Sequence, residues 1–277
     1  MILLSTGSLH CYGLARVFEL AAGSGFEGVE ILIDHRPDTW QPAYLARLSE
    51  QHRLRVGAVH SPFLLNIPGW PASAGERAER SVKLAETLGA DVVVVHLPVR
   101  WPLSILVTAH RQRTIPLLWR RNHADITWFQ QGLPFLQAST EVAIAVEIMP
   151  QQRLFGWPIN ACEWNTLEEW STRFEHLTLD TTHCGTWRVD PLKAYTRAQD
   201  RVRHVHLSNF DGREHRLPHQ GKLQLDRFLH RLATDGYAGD VAVETGPDAM
   251  ESDDEDRVRA NLVASLDFCR QHLQARG

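Results

Sequence analysis

Short, continuous apolar runs alternate along this chain with longer segments whose apolar residues recur every three or four positions. Runs such as DVVVVHL and VAIAVEI lack the polar alternation of a half-exposed strand, which is typical of strands buried on both faces of a parallel sheet. Eight such runs predict eight strands. They lie at Ile2–Ser5, Gly28–Ile33, Arg55–His60, Asp91–Leu97, Val142–Ile148, Leu177–Asp180, Arg203–Leu207 and Asp240–Glu244.

The segments between these runs have the pattern of amphipathic helices, as in PAYLARLSEQH and LDRFLHRLATDG. Asn165 and Thr166 mark a helix start ahead of two glutamates, and Gly89 and Gly236 stand where helices are expected to end. Repeated strand–helix units of this length predict a single-domain (β/α)₈ TIM barrel over residues 1–277. A doubly wound open sheet is disfavoured, because STGSLHCYG follows the first strand instead of a G-x-G-x-x-G turn.

One connection is longer than a barrel requires. It runs from Pro98 to Thr140, between the fourth and fifth predicted strands, and we expect it to place a loop or an extra helix over the barrel mouth. Four of its arginines form either a solvated helix face or a grip on an anionic substrate. They are Arg111, Arg113, Arg120 and Arg121.

Composition narrows the class of protein. The 29 basic and 33 acidic residues give a net charge of −4, which indicates no general surface for polyanions. The four cysteines are widely spaced and show no C-x-x-C pair, so neither a disulfide framework nor a structural zinc ribbon is expected. The sequence has no signal-peptide pattern and no apolar run long enough to span a bilayer, so we expect a cytoplasmic protein that does not enter a membrane.

Histidines and carboxylates stand at the ends of the predicted strands, directly after apolar runs. In a barrel these ends meet at one mouth, where catalytic side chains are found. A buried carboxylate or imidazole costs several kcal/mol unless it is paired or bound to a metal, so we predict a site for one or more divalent cations. The residues concerned are His60, His96, Glu147, Asp180, His183, His206 and Glu244.

Four of these residues, Glu147, Asp180, His206 and Glu244, are the predicted central metal ligands. Three carboxylates and one imidazole suit Mn²⁺, Mg²⁺ or Co²⁺, whereas further histidines favour Zn²⁺, and no organic cofactor is indicated. Other roles stay open at this stage. Glu147 and Glu244 could each belong to a purely structural ion pair, and Asp180 could cap a helix. His204, on the same face as His206, could be the ligand instead of His206.

The remaining histidines also have open roles. His60 and His96 could bind a second metal, contact substrate hydroxyls or close the core. His183 follows Asp180 at the same mouth and is either a ligand or a hydrogen-bond donor to a substrate. His215 lies in the loop after the seventh strand, where an exposed side chain and a further metal ligand are both compatible with the sequence.

The ligand set, the motif DTTH at the sixth strand and the motif HVH at the seventh resemble those of the xylose-isomerase-like TIM barrels. The resemblance extends from GFEGVEI to VETGP and so covers nearly the whole chain. That superfamily includes sugar and sugar-phosphate isomerases and epimerases, and also endonuclease IV. The resemblance therefore implies a metal-dependent enzyme.

The resemblance to endonuclease IV includes more of the site. It implies a trinuclear zinc centre in which His60 and His96 match the histidines after strands three and four. Asp180 and His183 match the D-x-x-H pair of that family.

The loop after the seventh strand departs from the nuclease pattern. Where that family has a D-x-H element, this chain reads Arg213-Glu214-His215, so the histidine matches and the aspartate does not. A third metal therefore requires Glu214 to replace the aspartate.

We expect a divalent-metal-dependent isomerase or epimerase of a sugar or sugar phosphate. Glu147 and Glu244 are the expected acid and base, which move a proton through a metal-stabilised enediolate, and His183 orients a substrate hydroxyl. Several arginines that follow strand ends are candidates for binding a substrate phosphate or carboxylate. They are Arg100, Arg153, Arg188 and Arg213.

The alternative is an endonuclease IV-like zinc phosphodiesterase that acts on abasic DNA, and a non-catalytic sugar-binding or metal-binding regulator is a third, disfavoured reading. A nuclease needs basic and wedge-forming loops. The loops contain Trp70, Trp101 and Trp157, but they lack a concentrated basic track apart from the arginine-rich segment. The expected partner is a small sugar, with nucleic acid only under the alternative. Barrels of this kind often pair through their mouths or outer helices, which allows a homo-oligomer.

Overall fold

A computed structural model of the chain describes residues 1–63, 67–100, 103–108, 111–116, 122–154 and 157–274, with the backbone alone for 103–108, 111–116 and 153–154. Eight parallel strands close into a barrel, which confirms the predicted (β/α)₈ architecture. Each strand lies within one residue of its predicted bounds at either end. The strands are Ile2–Ser5, Gly28–Leu32, Arg55–His60, Val92–His96, Ala143–Glu147, His176–Asp180, Val202–Leu207 and Asp240–Val243.

The barrel strands follow one another around the barrel in chain order, and the first strand pairs with the eighth with Ile2 opposite Val241. Closure leaves no unpaired strand edge in the barrel. Helices surround the strands at Leu14–Ser24, Pro42–His52, Ala74–Leu88, His123–Thr127, Leu133–Ala138, Leu167–Arg173, Thr181–Thr186, Pro191–Ala198, Leu225–Thr234 and Glu255–His272. Shorter turns of 3₁₀-helix lie at Thr6–Leu9, Pro37–Trp40 and Gln199–Arg201. None of the helices in the described ranges has both the length and the apolar character needed to cross a bilayer.

Helix ends form where the sequence predicted them. Thr166 caps the helix Leu167–Arg173 by accepting a hydrogen bond from the backbone N–H of Glu169 at 3.2 Å. Gly89 and Gly236 both have φ of 67°, the left-handed conformation that a glycine adopts without steric cost at the end of a helix.

Strand side chains divide into two sets because they alternate between the two faces of the barrel wall. Outward residues pack beneath the helices and form the main core. Inward residues form a separate apolar cluster in the lower part of the barrel, made of Leu3, Ala58, Val92, Val94, Ala145 and Ala242. Two positions further along the same strands, Ala58 is followed by His60 and Ala145 by Glu147. The apolar floor therefore lies directly beneath the ionisable groups of the mouth.

The connection after the fourth strand differs from the expected loop or helix, because it contains both a hairpin and a helical segment. Strand Leu103–Thr108 pairs in antiparallel fashion with Arg111–Pro116, and helical turns then extend over His123–Ala138. A π-helical turn at Trp128–Gly132 joins the two α-helical parts. The missed hairpin has a physical reason, because its sequence lacks the short turn signal that identifies a two-residue loop.

Trp128 packs that helical segment against the helix Ala74–Leu88. Its indole lies against Gly75 and Gly132, where an added Cβ would come within 2.6 and 2.4 Å of the ring. Only glycine allows so close an approach at both positions. The described residues do not include Trp101, Arg120 and Arg121, nor the side chains of Arg111 and Arg113. The expectations about these residues therefore stay predictions.

A buried and an exposed tryptophan provide a test of the packing between helix and barrel. Trp170 is fully buried and donates its indole N–H to the backbone oxygen of Val146 at 2.9 Å, whereas Trp157 is 76% exposed. We expect Trp170→Ala to lower the free energy of unfolding by about 3–5 kcal/mol, because it leaves a cavity between helix and barrel. Trp157→Ala is the control and should change it by less than about 0.5 kcal/mol. Urea unfolding followed by circular dichroism measures both, and equal effects would contradict this packing.

Candidate metal centre

The ionisable residues predicted from the strand ends meet at the carboxyl-terminal mouth of the barrel. Four of them are the last residues of their strands, namely His60, His96, Glu147 and Asp180. Glu244 follows the eighth strand directly. Parallel pairing sets their heights, because His96 stands opposite Glu147 and Asp180 stands opposite His206.

The central group consists of Glu147, Asp180, His206 and Glu244, whose ligand atoms all lie within 4.8 Å of one another. Nδ1 of His206 lies 3.2 Å from Glu147 Oε1, 3.1 Å from Glu244 Oε2 and 3.9 Å from Asp180 Oδ2. Three carboxylates therefore surround one imidazole nitrogen. This set of oxygen and nitrogen donors matches the chemistry of a divalent cation.

A second group lies beside the first and shares Glu147 with it. Nε2 of His96 lies 3.0 Å from Glu147 Oε2, and Nε2 of His60 lies 3.4 Å from the same oxygen. The two Nε2 atoms are 3.2 Å apart. Both rings thus direct the same nitrogen toward one carboxylate oxygen.

A third group combines Asp180 with His183 and His215. Nδ1 of His183 lies 3.4 Å from Asp180 Oδ2, and the centroids of the two imidazole rings are 5.8 Å apart. His215 adopts a left-handed backbone with φ of 56°, and its backbone N–H donates to Thr182 Oγ1 at 3.1 Å. The loop histidine therefore turns toward the mouth and is half-buried.

Backbone carbonyls fix the orientation of two imidazoles. Nδ1 of His60 lies 2.8 Å from the oxygen of Ser61, and Nδ1 of His183 lies 2.8 Å from the oxygen of Ile148. A carbonyl can only accept, so each Nδ1 carries a proton, and Nε2 of the neutral imidazole is the nitrogen that could bind a cation. Metal-binding histidines commonly have this arrangement.

Asp180 combines two of the roles that the sequence left open. Its Oδ1 caps the helix Thr181–Thr186 by accepting from the N–H groups of Thr182 and His183, at 2.7 and 3.1 Å. Its Oδ2 is buried and has no hydrogen-bond donor among the described residues. The same holds for Glu147 Oε2, although His96 lies nearby. Buried oxygens without a donor are costly, and a cation would satisfy both of them.

Opposing charges determine the protonation of the central group. Burial opposes the charge of Glu147, but the imidazoles around it, His206 and His96 foremost, outweigh burial and hold the glutamate pKa well below its usual value. Burial likewise disfavours the charged imidazole of His206, but Glu244 and the other carboxylates raise its pKa well above the usual value. For Asp180 burial dominates and raises the pKa to about 6. A cation at this position would take the place of the proton on His206.

An aromatic ring borders the mouth beside the second group. The ring of Phe63 stacks on His96 at a centroid distance of 5.2 Å and an interplanar angle of 18°. Phe63 is 39% exposed, so one face of the mouth is apolar.

The described ion pairs of the arginines named in the sequence are with carboxylates outside this centre. Arg188 and Arg213 are exposed, and Arg213 pairs with Asp211 at 3.2 Å. Arg100 pairs with Glu163 at 3.3 Å. The side chain of Arg153 lies outside the described residues. Their predicted contacts with a substrate therefore stay predictions.

Sequence reasoning missed Glu30, which is fully buried on the second strand. Its Oε2 lies 2.9 Å from Nε2 of His206 and 2.7 Å from Nε2 of His204. The signal was present as an acidic residue inside the apolar run GVEIL, but it stands before the strand end and not at it. His204 faces Glu30, whereas Nδ1 of His206 faces the three carboxylates.

Comparison with known proteins places this geometry in a family. An uncharacterised protein of Mycobacterium leprae (strain TN) is 29% identical over 292 residues, covering 98% of this chain and 96% of that protein. The crystal structure of D-psicose 3-epimerase from Clostridium cellulolyticum H10 has a TM-score of 0.70 at 15% identity, covering 99% of both chains. That of an AP endonuclease, family 2, from Brucella melitensis has a TM-score of 0.63 at 17% identity, covering 89% of this chain and 93% of that one.

The two solved structures share the fold of this chain, and their names are those of enzymes. The family model of the xylose isomerase-like TIM barrel matches residues 18–272, which is most of the chain. This protein belongs to the family of xylose isomerase-like TIM barrels.

Proposed function

We propose that this protein is a divalent-metal-dependent epimerase or isomerase of a sugar or sugar phosphate. The observation that carries the proposal is the convergence of two glutamates on one imidazole nitrogen. Glu147 and Glu244 approach Nδ1 of His206 to 3.2 and 3.1 Å, with Asp180 beside them. A pair of carboxylates at one cation site suits a reversible proton transfer, in which one group removes the proton and the other returns it.

The residues of the centre have distinct roles in this reaction. Glu147, Asp180, His206 and Glu244 would hold the cation, which when bound polarises a substrate carbonyl. Glu147 and Glu244 would transfer the proton, one removing it from the carbon beside the carbonyl and the other returning it. Glu147 is 1% exposed and Glu244 16%, so Glu244 faces the mouth and Glu147 lies deeper. The difference in depth would allow the two carboxylates to approach a substrate from different positions.

Other groups of the mouth suit a small polyol. His183 is held by the Ile148 carbonyl, and Nε2 of its neutral imidazole would accept a hydrogen bond from a substrate hydroxyl. The apolar face of Phe63 would contact the C–H groups of a sugar. Sugar epimerases among the proteins of similar fold support the same substrate class. For a sugar phosphate, the exposed Arg188 and Arg213 are the candidate anion-binding residues.

A second function is supported by a separate observation, the presence of three adjoining ligand groups. Glu147 belongs to two of them and Asp180 to two, so the mouth could hold more than one cation. Two or three zinc ions are the usual basis of metal-dependent phosphodiester hydrolysis. One observation counts against this candidate. Arg213 stands where endonuclease IV has an aspartate, and its side chain is 70% exposed and paired with Asp211. Epimerisation therefore ranks first.

Proton transfer by the two glutamates predicts exchange of a substrate carbon-bound proton with solvent. The Mn²⁺- or Co²⁺-loaded protein should incorporate deuterium from D₂O into one member of a panel of ketoses and ketose phosphates. Glu147→Gln and Glu244→Gln should each lower that rate by about 10²–10⁴-fold. The measurement is proton NMR of the substrate, with metal content determined for every variant.

Glu251→Gln is the matched control, because Glu251 is exposed and pairs only with Arg257 among its described ionic contacts, at 2.8 Å. It should exchange at the wild-type rate. Cleavage of an abasic-site DNA duplex by the wild-type protein, with no exchange in any ketose, would contradict epimerisation and favour the phosphodiesterase.

His96 separates the two candidates, because it belongs to the second ligand group and not to the central one. If the central group alone serves catalysis, His96→Gln retains the single Mn²⁺ or Co²⁺ per chain that the wild type holds. Elemental analysis of protein purified without added metal or chelator measures this. Two or three zinc ions in the wild type, with one lost from the variant, would overturn the ranking.

A further inference from the structure

A carboxylate and two imidazoles form a buried group directly beneath the candidate metal centre. Glu30, His204 and His206 are all fully buried. Nε2 of His204 and Nε2 of His206 lie 2.7 and 2.9 Å from the same oxygen, Glu30 Oε2. Two donors on one carboxylate oxygen fix the position of that side chain.

The position of this group follows from strand alternation. His204 and His206 are two residues apart on the seventh strand, so both point into the barrel at successive heights. Glu30 reaches them from the second strand, where it stands opposite Ser5 of the first strand. Beneath them lie apolar inward residues such as Leu3 and Ala242. In so apolar a place a carboxylate is costly to bury, and packing alone gives no reason for it.

The orientation of His206 links this group to the cation site. Nδ1 of His206 faces Glu147 and Glu244, at 3.2 and 3.1 Å, and a cation among these carboxylates would need the lone pair of Nδ1. The ring proton must then be on Nε2, which is the nitrogen that faces Glu30. A carboxylate at that position accepts this proton and resists rotation of the ring.

We propose that Glu30 is a positioning residue of the metal centre, which holds His206 as the Nε2–H tautomer with Nδ1 directed at the cation and which is itself held by His204. The inference depends on the metal centre proposed above and assigns a role to a residue outside the ligand set. A carboxylate that accepts the second N–H of a ligating histidine also makes that histidine a stronger ligand.

The test is metal affinity, measured without substrate. Glu30→Gln keeps the size of the side chain and removes its charge. We expect its affinity for Zn²⁺ and Co²⁺, determined by competition with a chromophoric chelator, to fall about 10–100-fold. The visible absorption of the Co²⁺-loaded variant should also shift, because a ligand with altered basicity changes the ligand field.

Asp240→Asn is the matched control. Asp240 is another buried carboxylate of the same barrel, 7% exposed, but it lies at the amino-terminal end and pairs with the amino group of Met1 at 2.8 Å. The same chemical change there should leave metal affinity and the Co²⁺ spectrum unchanged, even if stability falls. If the role of Glu30 were purely structural, Glu30→Gln would also leave metal affinity and the Co²⁺ spectrum unchanged.

A measurement on the wild type keeps the test decisive if Glu30→Gln does not fold. In the Zn²⁺-loaded, ¹⁵N-labelled protein, NMR should show that His206 is protonated at Nε2 and bound to metal at Nδ1. The reverse assignment, or a Glu30→Gln variant with wild-type affinity, would overturn the role of Glu30 and leave the metal centre standing. A wild-type protein that binds neither metal would overturn the proposed function and this inference together.

Discussion

The mutual contact of carboxylates and imidazoles at the closed barrel mouth is the interaction on which the rest of this structure depends. Glu147 is 1% exposed, and its oxygens lie within 3.0–3.4 Å of nitrogens of His60, His96, His183 and His206. Such groups are costly to bury unless they compensate one another or bind a cation. Barrel closure makes compensation possible, because each strand fixes the height of the side chains on its neighbours.

The interior of the barrel is organised in layers that support this centre. Small and branched apolar residues fill the lower part, Glu30 and His204 lie above them, and the proposed metal ligands form the top. Each layer restricts the one above it, so the imidazole of His206 is held from below by Glu30. Repulsion among the carboxylates is the cost of assembling the ligands before a metal arrives, and the buried core of the barrel offsets it. A rigid ligand set of this kind suits chemistry in which a proton is moved between fixed positions.

The sequence predicted the fold closely, because the apolar runs are continuous and their ends carry ionisable residues. The strand ending in Glu147 and the helix capped by Thr166 both lie where the pattern placed them. Glu30 was missed, because a charge inside an apolar run is recognisable as functional only when the opposite wall of the barrel is known. The hairpin after the fourth strand was missed because its residues have no distinct turn signal. The role of Glu30 depends on contacts with residues 174 and 176 positions away, which no local pattern encodes.

We propose that Glu147, Asp180, His206 and Glu244 together bind one divalent cation. Anomalous X-ray diffraction from crystals grown with Mn²⁺ or Zn²⁺, recorded on both sides of the metal absorption edge, measures this directly. We expect a strong peak in contact with all four side chains, at about 2.0–2.2 Å from their oxygen and nitrogen ligand atoms. Fully occupied crystals with no peak among these four residues, or with metal bound only at other positions, would contradict it.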